Sequence, residues 1–383
     1  MADFNVAIDA SRVKSGGGVA HLLGILGIDR VDTFGIREVH VWSHAGLLAA
    51  LPERPWIVRH QPAVTEQSLA RQLLWQAVSL AGEVRRANCQ ILFSEDATTL
   101  CRFKPMVALN HNMLPYEDRV MHIYGASKNG LHQRALLEIQ KGAFRAADGV
   151  IFLTQHAARR IQLFSGPLSN TVIIPHGVGD VFKRTAHRAV WPDSNERPVR
   201  CVYVSPIWEY KHQDVVVRAI RTLRDQGLNV TLTLTGGGNS RARQNLDRQI
   251  AESDPRGEFV EVLEFLPHAQ VPGLIADADI FIFASACETF GISLLEAMAV
   301  GVPIACSDRS SLPETLRDGG AYFDPEDDAS IAATLHTLID DPALRARLSV
   351  RAKVLAHPYS WDQCARDTWS YIAQTYRRVS RSV

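Results

Sequence analysis

The feature that most restricts the fold is a regular alternation of short apolar runs and longer amphipathic segments. This pattern predicts helices at Gly130–Arg145 and Gln155–Phe164, with strands at Gly149–Leu153 and Thr171–Pro175. Strands that alternate with helices form a parallel sheet whose two faces the helices cover. The sequence therefore predicts an α/β fold built on parallel sheets.

The same alternation extends through both halves of the chain. The further predicted strands are Asn5–Asp9, Glu38–Trp42, Trp56–Arg59, Gln90–Phe93, Pro105–Leu109, Arg200–Val204, Asn229–Thr235, Glu261–Phe265, Ile280–Ala284, Ile304–Ser307 and Tyr322–Pro325. The basic, proline-containing segment 183–199 lacks a clear period, which indicates a linker. Since 383 residues suffice for two domains at ~150 residues each, we predict a first domain over residues 1–182 and a second over 200–360.

Composition excludes several classes of function. The 41 basic and 41 acidic residues balance, so there is no net positive charge to favour nucleic acid as a partner. The six cysteines are scattered without the spacing of a zinc site, so we expect buried thiols and no bound metal. The start MADFNVAIDA has no basic region before an apolar run, and no run of ~20 apolar residues follows elsewhere. We expect a cytoplasmic protein.

One helix leaves membrane contact open. The segment Gln67–Arg86 has a helical period, with Leu69, Leu73 and other apolar positions on one side and arginines such as Arg85 outside it. Its apolar side is expected to pack on the sheet. The alternative is that part of this basic helix lies on the anionic inner surface of a membrane.

The strongest functional signal follows the predicted strand Ile280–Ala284. A helix is predicted to begin just after Thr289, so that Phe290, Gly291 and Ile292 form its first turn. The backbone N–H groups of a first turn have no partners within the helix, and the helix dipole adds positive charge there. This arrangement favours binding of a phosphate group.

Two glutamates flank this turn. Glu296 is a single carboxylate in the otherwise apolar helical stretch Ile292–Val300, and Glu288 lies just before the helix. A buried carboxylate needs partners, and the two adjacent hydroxyl groups of a ribose would satisfy both of its oxygens. The alternative is structural: Glu288 is a solvated turn residue and Glu296 pairs with an arginine of a neighbouring element.

The order of these residues resembles a family signature. A Glu, then Phe-Gly, then a second Glu after seven intervening residues is similar to the motif of retaining nucleotide-sugar glycosyltransferases of family 4. The resemblance implies the GT-B architecture, in which two Rossmann-like domains face each other across a cleft. It also implies that a C-terminal helix, here about 361–383, crosses back to the first domain.

The resemblance implies roles for individual residues. Lys211 would stabilise charge on the departing diphosphate, Glu288 would orient the sugar hydroxyls, and Glu296 would hold the ribose. His111, at the carboxyl end of a predicted strand, would contact the sugar near the reacting carbon, although a lone histidine there is often structural. These assignments make His111, Lys211 and Glu288 the predicted catalytic residues.

The chain departs from the family pattern at two places. Pro206 and Ile207 stand where the family often has an arginine beside the lysine, which puts the second diphosphate cation in doubt. Arg241 or Arg243 is the candidate substitute. His176 replaces the more usual asparagine of a Pro-Asn-Gly-Val turn, and we assign it no catalytic role.

Glycine turns supply further candidates for the donor site. Gly17 and Gly18, after the first strand, and Gly237, after Asn229–Thr235, can bring backbone amides close to a phosphate or sugar. A tight structural turn is the more common explanation of the first glycine turn and explains the second at least as well. Arg12 and Lys14 add positive charge and are candidate acceptor contacts. Two aspartates, Asp277 and Asp279, resemble a metal motif of another glycosyltransferase fold but belong to the turn that enters a buried strand.

The expected function is transfer of a hexose-type sugar from a UDP- or GDP-sugar to a glycan or lipid-linked glycan acceptor. The resemblance implies a retaining, metal-independent transferase that needs no cofactor beyond its donor. Two alternatives stay open: a sugar-nucleotide epimerase or phosphorylase on the same fold, and a donor-binding subunit without activity. The sequence does not distinguish the base, the sugar or the acceptor.

Overall fold

The structure is a computed structural model that describes residues 3–192, 197–238, 241–264 and 266–381. The chain divides into two compact units, the first comprising Met1–Gly177 and Tyr359–Val383 and the second Val178–Pro358. The described part of the predicted linker 183–199 lies within the second unit. Phe265, the predicted end of one strand, lies outside the described residues.

The first unit alternates strands and helices, as the sequence pattern predicts. Its strands are β1 (Phe4–Asp9), β2 (Ile36–Trp42), β3 (Ile57–His60), β4 (Ile91–Ser94), β5 (Met106–Leu109), β6 (Gly149–Phe152) and β7 (Thr171–Ile173). Its helices are α1 (Gly17–Leu26), α2 (Ala45–Ala50), α3 (Leu69–Trp75), α4 (Ala81–Arg86), α5 (Asp118–Tyr124), α6 (Lys128–Ala146), α7 (Gln155–Ser165) and the C-terminal α16 (Trp361–Ser380). A π-helical turn, Gln76–Leu80, joins α3 to α4.

All seven strands of the first unit are parallel, in the order β3-β2-β1-β4-β5-β6-β7. The order reverses between β1 and β4, and this reversal is the point at which open α/β sheets bind ligands. Large aromatic side chains fill the core, among them the fully buried Trp42, Phe93 and Phe152.

Helix α16 packs against the rest of the first unit. Trp369 is fully buried and its indole N–H donates to the carbonyl of Ile25, at the end of α1, over 2.8 Å. Trp361 lies against Gly24, where a Cβ would come within 2.2 Å of its ring. The glycine is therefore required for close packing of α1 and α16.

The second unit repeats the architecture. Its strands are β8 (Val199–Val204), β9 (Val230–Thr235), β10 (Val260–Leu263), β11 (Ile280–Phe283), β12 (Ile304–Ser307) and β13 (Ala321–Phe323). Its helices are α8 (Asp180–Arg184), α9 (Gln213–Asp225), α10 (Arg241–Ser253), α11 (Val271–Asp277), α12 (Ile292–Val300), α13 (Leu312–Leu316), α14 (Asp328–Asp340) and α15 (Pro342–Ala356).

The second sheet is also entirely parallel, in the order β10-β9-β8-β11-β12-β13. Its order reverses between β8 and β11, both of which are buried strands at the centre of the sheet. The predicted α/β fold with two parallel-sheet domains is confirmed. Among the described residues, no helix is both long and apolar enough to span a bilayer.

Candidate functional site

The switch point of the second sheet brings two predicted catalytic residues together. Lys211 lies in the turn after β8, and Glu288 lies in the loop after β11. Their side chains form an ion pair, with the Lys211 ammonium 5.5 Å from the centre of the Phe283 ring. Lys211 is 7% exposed and is therefore a buried cation with a carboxylate partner rather than a solvated loop lysine.

The following element fixes the backbone of Glu288. Ser310 accepts a hydrogen bond from the Glu288 N–H over 3.1 Å and donates to its carbonyl over 2.9 Å, while Ser311 donates to the same carbonyl over 3.0 Å. Thr315, in α13, donates to the Phe290 carbonyl over 3.0 Å. The loop that carries Glu288 is thus held by side chains on the neighbouring turn and helix, as a rigid binding loop requires.

Helix α12 begins later than predicted. It starts at Ile292, and Gly291 is its N-cap, with φ of 92°. This left-handed conformation cannot be part of a right-handed helix and favours glycine, so Phe290 and Gly291 precede the first turn rather than form it. The prediction that both residues lie in the first turn is wrong. Phe290, Gly291 and Ile292 still lie together at the N-terminus of a nine-residue helix, where the helix dipole favours binding of an anion.

Glu296 is buried in α12, at 6% exposure. Its Oε1 lies 2.9 Å from Nε2 of His268, whose own side chain is 73% exposed. Burial raises the pKa of Glu296, and the hydrogen bond with His268 opposes this shift. The partner is a surface histidine and not the internal arginine of the structural alternative, so the carboxylate lies close to solvent on the side of His268.

The glycine turn after β9 is shaped by packing. A Cβ on Gly236 would lie 2.2 Å from the carbonyl oxygen of Ser205, and one on Gly238 would lie 2.8 Å from Cβ of Ile207. Close packing therefore explains why Gly236 and Gly238 are glycines. Gly237 is exposed, and its role in donor binding stays a prediction. Of the substitute cations, Arg243 already pairs with Asp247 at 2.7 Å and with Glu264 at 3.1 Å.

The first unit places the glycine turn at the start of α1. Gly16, with φ of 67°, is the N-cap and Gly17 the first helical residue. Gly18 is buried, and a Cβ there would lie 3.4 Å from the ring of His111. Arg12 lies 3.7 Å from Asp96, whereas Lys14 is exposed. The structure thus places the backbone of Gly18 beside the ring of His111.

His111 belongs to a buried cluster at the switch point of the first sheet. Its Nε2 lies 3.1 Å from Oε1 of Glu95, and Nδ1 of His21 lies 2.6 Å from the same oxygen. Burial raises the pKa of Glu95 to about 7 and lowers that of His21 to about 3. Burial also lowers the pKa of His111, against the effect of Glu95.

The sequence reasoning missed Glu95 and His21. Glu95 directly follows β4, so the rule that selected His111 at a strand end would also have selected this carboxylate. His21 gave no such signal, since a histidine in an amphipathic helix is ordinary. His176, to which we assigned no role, stacks on His111 with ring centres 5.4 Å apart and planes 2° apart.

Two sets of ligand atoms in this cluster lie within 4.8 Å of one another: His21 with Glu95 and His111, and His21 with His176 and Cys364. In the first set, the 2.6 Å separation between His21 and Glu95 is a hydrogen bond and is shorter than the spacing of two ligands on one ion. The second set offers two nitrogens and a sulfur, a combination that suits zinc. Metal analysis of the purified protein tests directly whether these three residues hold zinc.

The second unit also has a cavity of about 410 Å³. It is lined by residues from the starts of β8, β9 and β10, including Arg200, Thr231 and Val260. It therefore lies at the amino end of the sheet, opposite the end that carries Lys211 and Glu288. None of the predicted site residues lines it.

Residues 185–354 match the family model described as "Glycosyl transferases group 1". The chain is 35% identical over 120 residues to the O-antigen chain mannosyltransferase B of Escherichia coli, covering 31% of this chain and 32% of that protein. It is 32% identical over 172 residues to the amylovoran biosynthesis glycosyltransferase AmsK of Erwinia amylovora, covering 42% of each. The chain thus spans less than half the length of these curated relatives.

Solved structures match over nearly the whole chain. Sucrose-phosphate synthase from Thermosynechococcus elongatus superposes with a TM-score of 0.77 at 16% identity, covering 99% of this chain and 100% of that one. Anabaena HepE, solved in complex with UDP-glucose, gives a TM-score of 0.71 at 18% identity, with the same coverage. At these identities the likeness establishes the fold. Residues 185–354 thus match the glycosyl transferases group 1 family model, within a chain that has the fold of these solved structures.

Proposed function

We propose that the chain is a retaining glycosyltransferase that moves a hexose from a nucleotide diphosphate sugar to a hydroxyl group of a glycan or lipid-linked glycan. The observation that carries this proposal is the arrangement in the second unit, where the buried Lys211–Glu288 pair and the N-terminus of α12 meet at the switch point of the sheet. The names of the two curated relatives, which refer to O-antigen and amylovoran synthesis, support cell-surface polysaccharide or lipopolysaccharide as the product.

In the proposed reaction, the bond between the anomeric carbon and the diphosphate breaks, and a bond from that carbon to the acceptor oxygen forms. The negative charge that develops on the diphosphate is stabilised by Lys211 and by the amides before α12. The acceptor's proton passes to the leaving phosphate. Glu288 orients the sugar hydroxyls and Glu296 binds the ribose.

We further propose that the donor site works without a metal, because a buried ammonium and a helix N-terminus already supply positive charge there. The proposed location is the cytoplasmic side of the inner membrane. The exposed apolar residues Leu74 and Val78, near the exposed Arg71 and Arg85, support peripheral contact with a lipid surface. UDP and GDP are both candidate nucleotides, and UDP-glucose in the HepE structure favours testing UDP first.

The decisive experiment is the variant Glu296→Ala. We expect donor affinity to fall about 10- to 100-fold, because two hydrogen bonds from ribose to a charged acceptor are lost. Folding should change little, since the substitution removes a buried charge whose partner, His268, returns to water. Isothermal titration calorimetry with UDP-glucose and GDP-mannose measures the affinity, and thermal unfolding measures stability.

The matched control is Glu252→Ala, which removes an exposed glutamate of α10 in the same unit. An unchanged donor affinity in Glu296→Ala, together with a fall in melting temperature, would make Glu296 structural and would remove the ribose site from the proposal. The rival functions differ in their products. Only a transferase releases nucleoside diphosphate in proportion to an added acceptor, whereas an epimerase needs no acceptor and a phosphorylase needs free phosphate.

A further inference from the structure

His268 covers the carboxylate to which we assign the ribose. It is the first residue of the short 3₁₀ turn His268–Gln270, which leads directly into α11. Its Nε2 lies 2.9 Å from Oε1 of Glu296, and its ring packs against the ring of Phe182, with ring centres 5.4 Å apart. Glu296 is buried in α12, whereas the side chain of His268 is mostly exposed. The imidazole therefore lies on the solvent side of the carboxylate.

The contact between His268 and Glu296 depends on a proton. The hydrogen bond with Glu296 raises the pKa of His268 above its ordinary value of 6.5, and partial burial of the ring opposes this shift. At pH 6.5 more than half of the His268 rings therefore carry a positive charge. A charged imidazole forms a stronger hydrogen bond with a carboxylate than a neutral one does.

Other charged groups do not complicate this pair. The charged side chains on the elements that pack against α12 are Asp180, Lys183 and Arg184 of α8, Asp277 of α11, Glu314 of α13, and Arg345, Arg347, Arg351 and Lys353 of α15. Among the described residues, none of these groups shifts the pKa of His268 or of Glu296. The charge of each of the two is therefore linked to that of the other.

A bound ribose and His268 make conflicting demands on Glu296. The two ribose hydroxyls need both carboxylate oxygens, and the ring already occupies Oε1 from the solvent side. Because His268 is mostly exposed, its ring can turn into water at little cost, as expected for an ion pair with one member at the surface.

We propose that His268 occupies the ribose-binding carboxylate in the free protein and leaves it when a nucleotide sugar binds, so that protons and the nucleotide sugar compete at the donor site. The inference rests on the proposed function, because it concerns regulation of the donor site described there. Linkage requires each ligand to weaken the binding of the other by the same factor. Donor affinity should therefore rise as the pH increases from 6.5 through the higher pKa of His268, and donor binding should release protons over the same range.

The first test examines the pair without a donor. The pKa of His268 is measured by NMR titration, with its signals assigned from their absence in His268→Ala. We expect a pKa above 6.5 in the wild type and a return to about 6.5 in Glu296→Gln, which keeps the shape of the side chain without its charge. Saturating UDP-glucose should have the same effect on the wild type. A His268 pKa that neither change lowers would overturn the proposal.

The second test measures the protons released on binding. Calorimetry with UDP-glucose just above pH 6.5, in two buffers of different ionisation enthalpy, gives this number. UDP-glucose is suitable because its diphosphate is esterified at both ends and does not titrate near neutral pH. We expect the wild type to release a measurable fraction of one proton and His268→Gln, which has no ionisable side chain, to release none. Equal release by both would overturn the proposal.

The third test measures the competition as affinity. His268→Ala should bind UDP-glucose about 2- to 5-fold more tightly than the wild type near pH 6.5, which is the effect of losing a partly exposed ion pair. The difference should shrink as the pH rises above the pKa of His268. The matched control is His336→Ala, which removes an exposed histidine of α14 that pairs with Asp340 at 3.1 Å. The control should match the wild type, and weaker binding by His268→Ala would show that the ring supports the donor instead of opposing it.

Failure of this inference differs from failure of the proposed function. If neither UDP-glucose nor GDP-mannose binds the wild type, the donor site is wrong and the competition is wrong with it, whatever pKa His268 has. If UDP-glucose binds and neither affinity nor proton release responds to substitution of His268, the donor site stands and only the competition is wrong.

Discussion

Lys211→Ala is expected to lower the turnover number about 100- to 1,000-fold while changing donor affinity much less. Loss of one preorganised donor to a developing negative charge has an effect of this size in other enzymes. Lys211 is suited to this role because its ammonium is buried, lies 5.2 Å from the centre of the Tyr210 ring and is oriented by Glu288. Steady-state release of nucleoside diphosphate gives kcat and KM, and calorimetry gives donor affinity.

The substitution also leaves Glu288 without its cation, which lowers the stability of the fold independently of catalysis. The double variant Lys211→Ala/Glu288→Gln removes that unpaired charge. We expect it to recover most of the melting temperature and none of the turnover. Recovery of both together would mean that Lys211 acts on activity only through the fold, and the proposed mechanism would then lack its principal cation.

Asp279→Ala is expected to lower the free energy of unfolding by about 3 kcal/mol, which is the low end for a broken buried ion pair because both arginine partners can reach water. The fully buried carboxylate accepts hydrogen bonds from Arg197 at 2.7 and 2.9 Å and from the backbone N–H of Arg200 at 2.8 Å. Asp277→Ala is the matched control, since Asp277 and its partner Arg188 are more than half exposed. The control should change stability by less than about 1 kcal/mol. Urea unfolding measures the free energy of unfolding of both variants.

The same carboxylate gives a dependence on pH. Burial alone would raise the pKa of Asp279, but the hydrogen bonds from Arg197 and Arg200 outweigh it and hold the pKa below its usual value of 3.8. The ionised Asp279 therefore contributes its full stabilisation at pH values above the unfolded-state pKa of 3.8. This stabilisation is lost as the pH falls through the lower pKa that Asp279 has in the folded protein. In Asp279→Ala the loss of stability below pH 4 should be correspondingly smaller.

A melting temperature that rises on addition of Mg²⁺ or Mn²⁺, and does so only when Asp279 is present, would instead favour a metal site at this carboxylate.

Periodicity was sufficient to predict most strands, since a buried parallel strand must be a short apolar run whatever its partners are. The start of α12 was misplaced because it depends on the backbone of Gly291, whose left-handed φ no hydrophobic pattern reports. Local conformation of this kind becomes visible only when the surrounding contacts are known.

The site was predicted less completely because its pairings are long-range. The partner of the buried Lys211 is Glu288, which lies 77 positions further along the chain. The partner of Glu296 could not be inferred, because His268 precedes a different helix. His21 was missed for the same reason, since 74 positions separate it from Glu95 and only the fold brings them together. A sequence identifies residues that need a partner, whereas the fold selects the partner.

The second unit is continuous from Val178 to Pro358, whereas the first unit includes α16, which follows the second unit in the chain. The second unit is therefore translated in full before the first unit is complete. The ribosome delivers every strand of the second sheet before it delivers the helix that covers α1. The second unit can therefore reach its native state while the first still exposes the apolar surface that Trp369 later occupies. During that interval the uncovered apolar surface of the first unit is accessible to solvent and to molecular chaperones.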